Sequence, residues 1–238
     1  MGIRESLKGL VKKALKRPIM TVTTLGLVGL VSITVLKDNV HWGSISLNNP
    51  KKNHYAWGLL PKIKISGDNV KGNFYAIGLL RGKNELPDNS RMDGNLNSYG
   101  LFADNDVGFW KPDGGWTFDG EGAQINGNMN INHLIFGLNY ISSNSEINGD
   151  MNARGLIGTG NRGEYNAHVN GNMYAHSLFF TGNNVNDDSE INGDMKARSL
   201  LFSENSVYGN SKIKGKGSNW GLLGKNRIDE SRHWTNVF

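Results

Sequence analysis

The chain has 238 residues, with 32 Gly, 32 Asn, 37% hydrophobic residues, no Cys and a formal charge of +5. This composition excludes a disulfide-stapled scaffold, a thiolate metal site, a Cys nucleophile and a multi-span membrane protein. Residues 1–17 hold six basic side chains and one acid, so the other 221 residues carry 20 of each sign, and nucleic acid is not expected as a partner.

In the first segment, residues 1–17, Ile3, Leu7, Leu10, Val11 and Ala14 fall on one helical face, and Arg4, Lys8, Lys12, Lys13, Lys16 and Arg17 lie mostly elsewhere. This predicts a basic amphipathic segment lying on an anionic inner leaflet of a lipid bilayer. The opening Met-Gly-Ile-Arg-Glu-Ser also fits the loose N-myristoylation pattern, with Gly2 as acceptor.

Residues 18–36 run for 19 residues without a charge, ten of them Ile, Leu or Val. As a helix they span about 28 Å, close to the thickness of a hydrocarbon core. Apolar residues cover every face of that helix, which argues for a transmembrane anchor over a buried core helix. The basic flank is longer than the n-region of a secretory signal, and no small-x-small site follows Leu36, so an uncleaved single-pass anchor is expected. With six Lys/Arg before the span and only Lys37 close after it, the N-terminus is expected in the cytoplasm and the rest of the chain outside.

Residues 37–64 read as a linker and an N-terminal coil or cap, ending in the degenerate motif HYAWGLL at 54–60. From Val70 onward one block recurs, with starts at Val70, Met92, Ile125, Ile147, Val169, Ile191 and Ile213. The step is 22 residues except between 92 and 125, where it is 33. The third position of each block is Gly: Gly72, Gly94, Gly127, Gly149, Gly171, Gly193 and Gly215. A corner is expected there, either because the backbone turns with positive φ or because two coils approach closely. The fourth position is Asn or Asp in six blocks and reads as turn chemistry. Positions five and seven are apolar or small around a polar position six, the period of a short strand with one inward face.

A 22-residue unit of short strands cannot bury its apolar face alone, whereas stacked copies can. The expected fold is all-β, a β-solenoid (β-helix) of about seven to eight coils, a rod of roughly 34 Å, over residues 65–224, with residues 225–238 as a C-terminal cap. An Asn recurring at position fifteen, in Asn84, Asn139, Asn161, Asn183 and Asn205, suggests an amide ladder along a corner.

Positions ten, eleven and often twelve are consecutively apolar, as in Leu178-Phe179-Phe180. Strand alternation buries only every second residue, which leaves two readings. A corner that turns both side chains inward is the expectation. The other reading is an exposed assembly stripe formed by Leu80, Phe102, Ile135, Ile157, Phe179, Leu201 and Leu223. An insertion around 103–124 carries Phe109, Trp110, Trp116 and Phe118, which form a candidate ligand-binding tip for glycans or simply cover the coil beneath.

Other chemistry is sparse. The six His show no metal-ligand spacing, and Asp104, Asp106, Asp113, Asp119 and Glu121 crowd the insertion without a calcium-loop pattern. No nucleophile elbow, phosphate loop, dinucleotide fingerprint or zincin motif occurs. No catalytic, cofactor or metal residue is assigned, and an enzyme is not expected.

The phrase Ile191-Asn-Gly-Asp-Met-Lys-Ala-Arg-Ser-Leu-Leu, and its counterpart at 147–157, resembles bactofilins, whose coils use a similar apolar-x-Gly-Asp-apolar-x-Ala pattern. The resemblance covers five blocks and implies a polymer-forming scaffold at a membrane. Bactofilins are cytoplasmic and their coil is shorter than 22 residues, whereas the basic flank here puts the solenoid outside. The expected function is a membrane-anchored structural or scaffold protein of the cell envelope or virion surface, partnered by itself or by other envelope or virion proteins. Alternatives are an adhesin or glycan-binding stalk and a bactofilin-like cytoplasmic polymer.

Overall fold

The structure, a computed structural model, describes residues 39–108, 122–142 and 144–228. The amphipathic segment 1–17, the anchor 18–36, the aromatics Phe109, Trp110, Trp116 and Phe118, and residues 229–238 of the expected cap lie outside the described residues. Among the described residues no helix is long and apolar enough to cross a membrane.

The described chain is a parallel β-solenoid of about eight turns with three faces per turn. The first face stacks strands such as Phe74–Gly78, Met151–Arg154, Met173–His176 and Met195–Arg198. The second stacks Lys62–Ser66, Arg81–Leu86, Gly158–Gly163, Phe180–Val185, Phe202–Val207 and Lys225–Ile228. The long strands Leu96–Val107 and Met129–Ile141 run across both faces. The third face has seven short strands, from Val70–Lys71 to Lys212–Ile213. The coils begin before residue 65: Val40–Trp42 and Ile45–Asn48 already pair with His54–Gly58 and Lys62–Ser66.

Three columns fill the interior. Block position one supplies Val70, Met92, Ile125, Ile147, Val169, Ile191 and Ile213. Position five supplies Phe74, Leu96, Met129, Met151, Met173 and Met195. A third column, Leu86, Val107, Ile141, Val185 and Val207, closes the core from the second face. Each coil thus buries side chains against the coils on either side, which is why no single repeat is stable alone.

The glycine column marks a close approach of coils. A Cβ at Gly149, Gly171, Gly193 or Gly215 would fall inside the radius of the carbonyl oxygen of the preceding coil's glycine. Gly72, Gly94 and Gly127 also turn with positive φ, at 114°, 145° and 159°, whereas the later column glycines do not. Further left-handed residues, Asn89, Asn144, Tyr165, Asn166, Asp187, Asp188 and Gly209, lie between the second and third faces. Position four also differs from the turn reading. Its side chain accepts from the backbone of the next coil: Asp150 N donates to Asn128 Oδ1 at 2.7 Å, Asn172 N to Asp150 Oδ1 at 2.8 Å, and Asp194 N to Asn172 Oδ1 at 2.8 Å.

The position-fifteen amides form a ladder inside the rod, on the inward side of the second face and not at a corner. Asn84 donates to Asn105 at 2.9 Å, Asn105 to Asn139 at 2.9 Å, Asn139 to Asn161 at 2.9 Å and Asn161 to Asn183 at 2.8 Å. The chain continues through Asn205 to Asn226. Asn84 Oδ1 has no partner because the preceding coil places Ile63 in that column. A second ladder runs along the exposed third face, from Asp93 through Asn126, Asn148 and Asn170 to Asn192.

Candidate functional site

The corner joining the first and second faces turns outward, and this overturns the expectation that its consecutive apolar residues point inward. The cause is backbone pairing. Leu178 N donates to Leu156 O, Leu200 N to Leu178 O and Leu222 N to Leu200 O, so the ladder continues around the corner and holds the same side chains outside in every coil. Leu178 is 42% exposed and Phe180 46% exposed. Of the expected stripe, Leu80, Phe102 and Leu223 are exposed, whereas Ile135, Ile157, Phe179 and Leu201 are half-buried between the more prominent positions ten and twelve.

Register explains which residues project. The coil carrying Phe102 is one residue short, and an irregularity between His133 and Phe136 absorbs the difference. Phe102 therefore pairs with Phe136, and the column continues through Gly158 and Phe180 to Phe202. The Phe180 and Phe202 rings stack at 5.2 Å. Gly158 leaves room for the Phe136 ring, which lies where a Cβ would stand.

Beside this aromatic column runs an open groove of about 1340 Å³, lined in its central part by Phe136, Leu138, Gly160, Phe180, Gly182 and Phe202. Its floor is bare backbone at Gly160 and Gly182. Charges gather towards its ends. At one end Arg81 pairs with Asp104 at 2.6 Å, Lys83 with Asp106 at 2.6 Å and with Glu85 at 2.9 Å, and Lys62 with Glu85 at 2.6 Å. Asp104 and Asp106 therefore belong to a strand and an ion-pair network rather than to the insertion. Burial raises the Asp106 pKa despite Lys83, and burial opposes the Lys83 charge but is outweighed by Asp106 and Glu85, which hold its pKa above the usual value. At the other end Arg227 pairs with Glu204 at 3.2 Å.

The second face also holds a cluster around Glu164. Tyr140 donates to Glu164 at 2.9 Å, Asn186 donates at 2.9 Å and Arg162 pairs with it. Burial and then the Glu164 carboxylate raise the Tyr140 pKa. Glu164 itself is buried. Among the described residues no group of three or more His, Asp or Glu is placed to hold a metal.

Beneath the ridge, His133 is 6% exposed and neither ring nitrogen has a partner. It occupies space left by Gly137 and Gly155. Burial lowers its pKa to about 4, so the imidazole is neutral.

No family model matches the chain, and no curated protein or solved structure matches it.

Proposed function

We propose that this protein is a membrane-anchored, non-enzymatic structural rod of the cell envelope or virion surface that associates with itself along its side. The observation that carries this reading is the exposed apolar ridge, from Leu59 and Leu60 through Phe102, Phe136, Phe180 and Phe202 to Leu223. Over seven steps of about 4.8 Å it is roughly 34 Å long, and contiguous apolar surface on that scale marks an interaction site.

Charge favours side-by-side contact over end-to-end growth. The first described coils carry Lys51, Lys52, Lys64 and Lys71 against Asp68, besides Lys62, which pairs with Glu85. The last described coil carries Lys212, Lys216 and Lys225, besides Lys214 and Arg227, which pair with Glu190 and Glu204. Head-to-tail stacking would bring these like charges together. The bactofilin resemblance supports only the scaffold role, since that family polymerises end to end and not along its side.

Two differently tagged full-length copies, co-expressed and extracted from membranes, test the reading. Wild type is expected to co-purify through either tag, and Phe180→Ser/Phe202→Ser is expected to lose the second tag. Wild-type copies that never co-purify, or a ridge variant that co-purifies equally well, would count against it.

A further inference from the structure

We infer that the partner of the second face is a second copy of this chain, lying parallel to the first about a two-fold axis that runs along the rod. The inference rests on the self-association proposed above and adds its geometry. Two neighbouring outward columns carry it. One holds Phe102, Phe136, Phe180 and Phe202, and the next holds Asp104, Leu138, Gly160, Gly182 and Glu204. A two-fold axis along the rod, placed between the columns, lays each column of one copy on the other column of its mate, coil on matching coil. Phe180 then sits over the second copy's Gly182 and Phe136 meets the second copy's Leu138, with the reciprocal contacts generated by symmetry.

The floor is free to receive the ring. A Cβ at Gly182 would find its nearest neighbour, Glu204 O, at 3.7 Å, so no side chain of the same copy fills that place. A two-fold axis along the strands would instead stack ridge on ridge and leave the glycine floor uncovered. The two carboxylates that the outer rings approach are already neutralised within the chain, Asp104 by Arg81 and Glu204 by Arg227. With the axis between these two columns the overlap is a strip about 34 Å long and about 10 Å wide, on the order of 340 Å² per copy, the size of a weak, reversible contact. The parallel arrangement also brings residue 39 of both copies to the same end, as two anchors in one membrane require.

Since the chain has no Cys, single-cysteine variants of the full-length protein report the geometry. Packed sheet faces lie about 10 Å apart, so a short bis-maleimide bridges residues near the axis. Leu60→Cys alone and Leu223→Cys alone are each expected to cross-link to dimers, and mixing them is expected to give no additional mixed species. Cross-linking only in the mixture means antiparallel rods and overturns the inference. Dimers by mass that cross-link in neither case place the contact on another face and also overturn it. A wild type that remains monomeric removes the self-association reading itself, a separate outcome. Gly182→Val, whose Cβ meets only Glu204 O, at 3.7 Å, within its own chain, is expected to fold normally and to weaken the dimer at least tenfold. Unchanged association in that variant contradicts the seating of Phe180.

Discussion

Asn161 donates its side-chain amide to Asn183 Oδ1 at 2.8 Å across 22 residues, and Asn183 makes the same bond to Asn205 at 2.8 Å. Both amides are buried, and Asn161 Nδ2 also reaches Tyr174 O at 3.0 Å. The ladder thus couples each coil to the next through groups that water cannot reach. Asn161→Leu removes the ladder donor to Asn183 Oδ1 and a side-chain bond to the Tyr174 carbonyl, which keeps its place in the strand ladder. It is expected to cost about 1–3 kcal/mol in denaturant unfolding, the cost of one stranded group. A loss below about 1 kcal/mol would mean that the ladder does not hold the coils together.

Two glycines should respond in opposite directions to the same substitution. At Gly171 a Cβ would overlap Gly149 O, a backbone atom that cannot move aside. Gly171→Ala is expected to destabilise by about 2–3 kcal/mol. At Gly163, buried between Ile141 and Val185 in the core column, a Cβ would meet Ala167 Cβ and Ile141 Cγ2 at 3.8 Å, an ordinary contact. Gly163→Ala is expected to stabilise by about 0.5–1 kcal/mol. Thermal melts of the two variants against wild type check both signs.

The Thr181 hydroxyl is buried beneath the ridge without a hydrogen-bond partner. Thr181→Val keeps the shape and removes an unpaired polar group, so it should raise stability by about 1 kcal/mol. A decrease would reveal a partner for that hydroxyl.

His133 makes stability depend on pH. Its folded pKa, about 4, lies below the usual imidazole value of 6.5. The unfolded chain therefore binds the proton more readily throughout that interval. The contribution is fully present above about pH 6.5 and is lost as pH falls towards 4, by about 3 kcal/mol in total. His54, whose pKa is lowered by burial and by His41, acts in the same direction. Denaturant midpoints measured from pH 7 to 4 should fall less steeply in His133→Leu than in wild type. Parallel profiles would show that His133 is accessible to protons in the folded state.

The 22-residue phase was legible because stacking demands the same residue type at the same place: Gly149, Gly171 and Gly193 meet one another's backbones, and Met151, Met173 and Met195 share one buried column. Asn105 escaped the sequence reading because its coil is a residue short, which moves it out of phase until the irregularity after His133 restores register. The third core column was hidden as well. Val185 and Val207 follow polar stretches, and only the three-dimensional turn brings them opposite Ile191 and Met195. The corner was ambiguous for a different reason. A run such as Leu178-Phe179-Phe180 has no period, and its direction is set by amide pairing to the coil before, which composition does not report.

The mass of the full-length protein in detergent micelles, followed by sedimentation over a wide dilution series, tests the central claim most directly. Wild type is expected to shift from monomer to dimer or larger species as concentration rises, while Phe180→Ser/Phe202→Ser remains monomeric with an unchanged far-UV spectrum. A wild type that is monomeric at every concentration, or a ridge variant that assembles as readily, would contradict a rod that associates through its apolar edge.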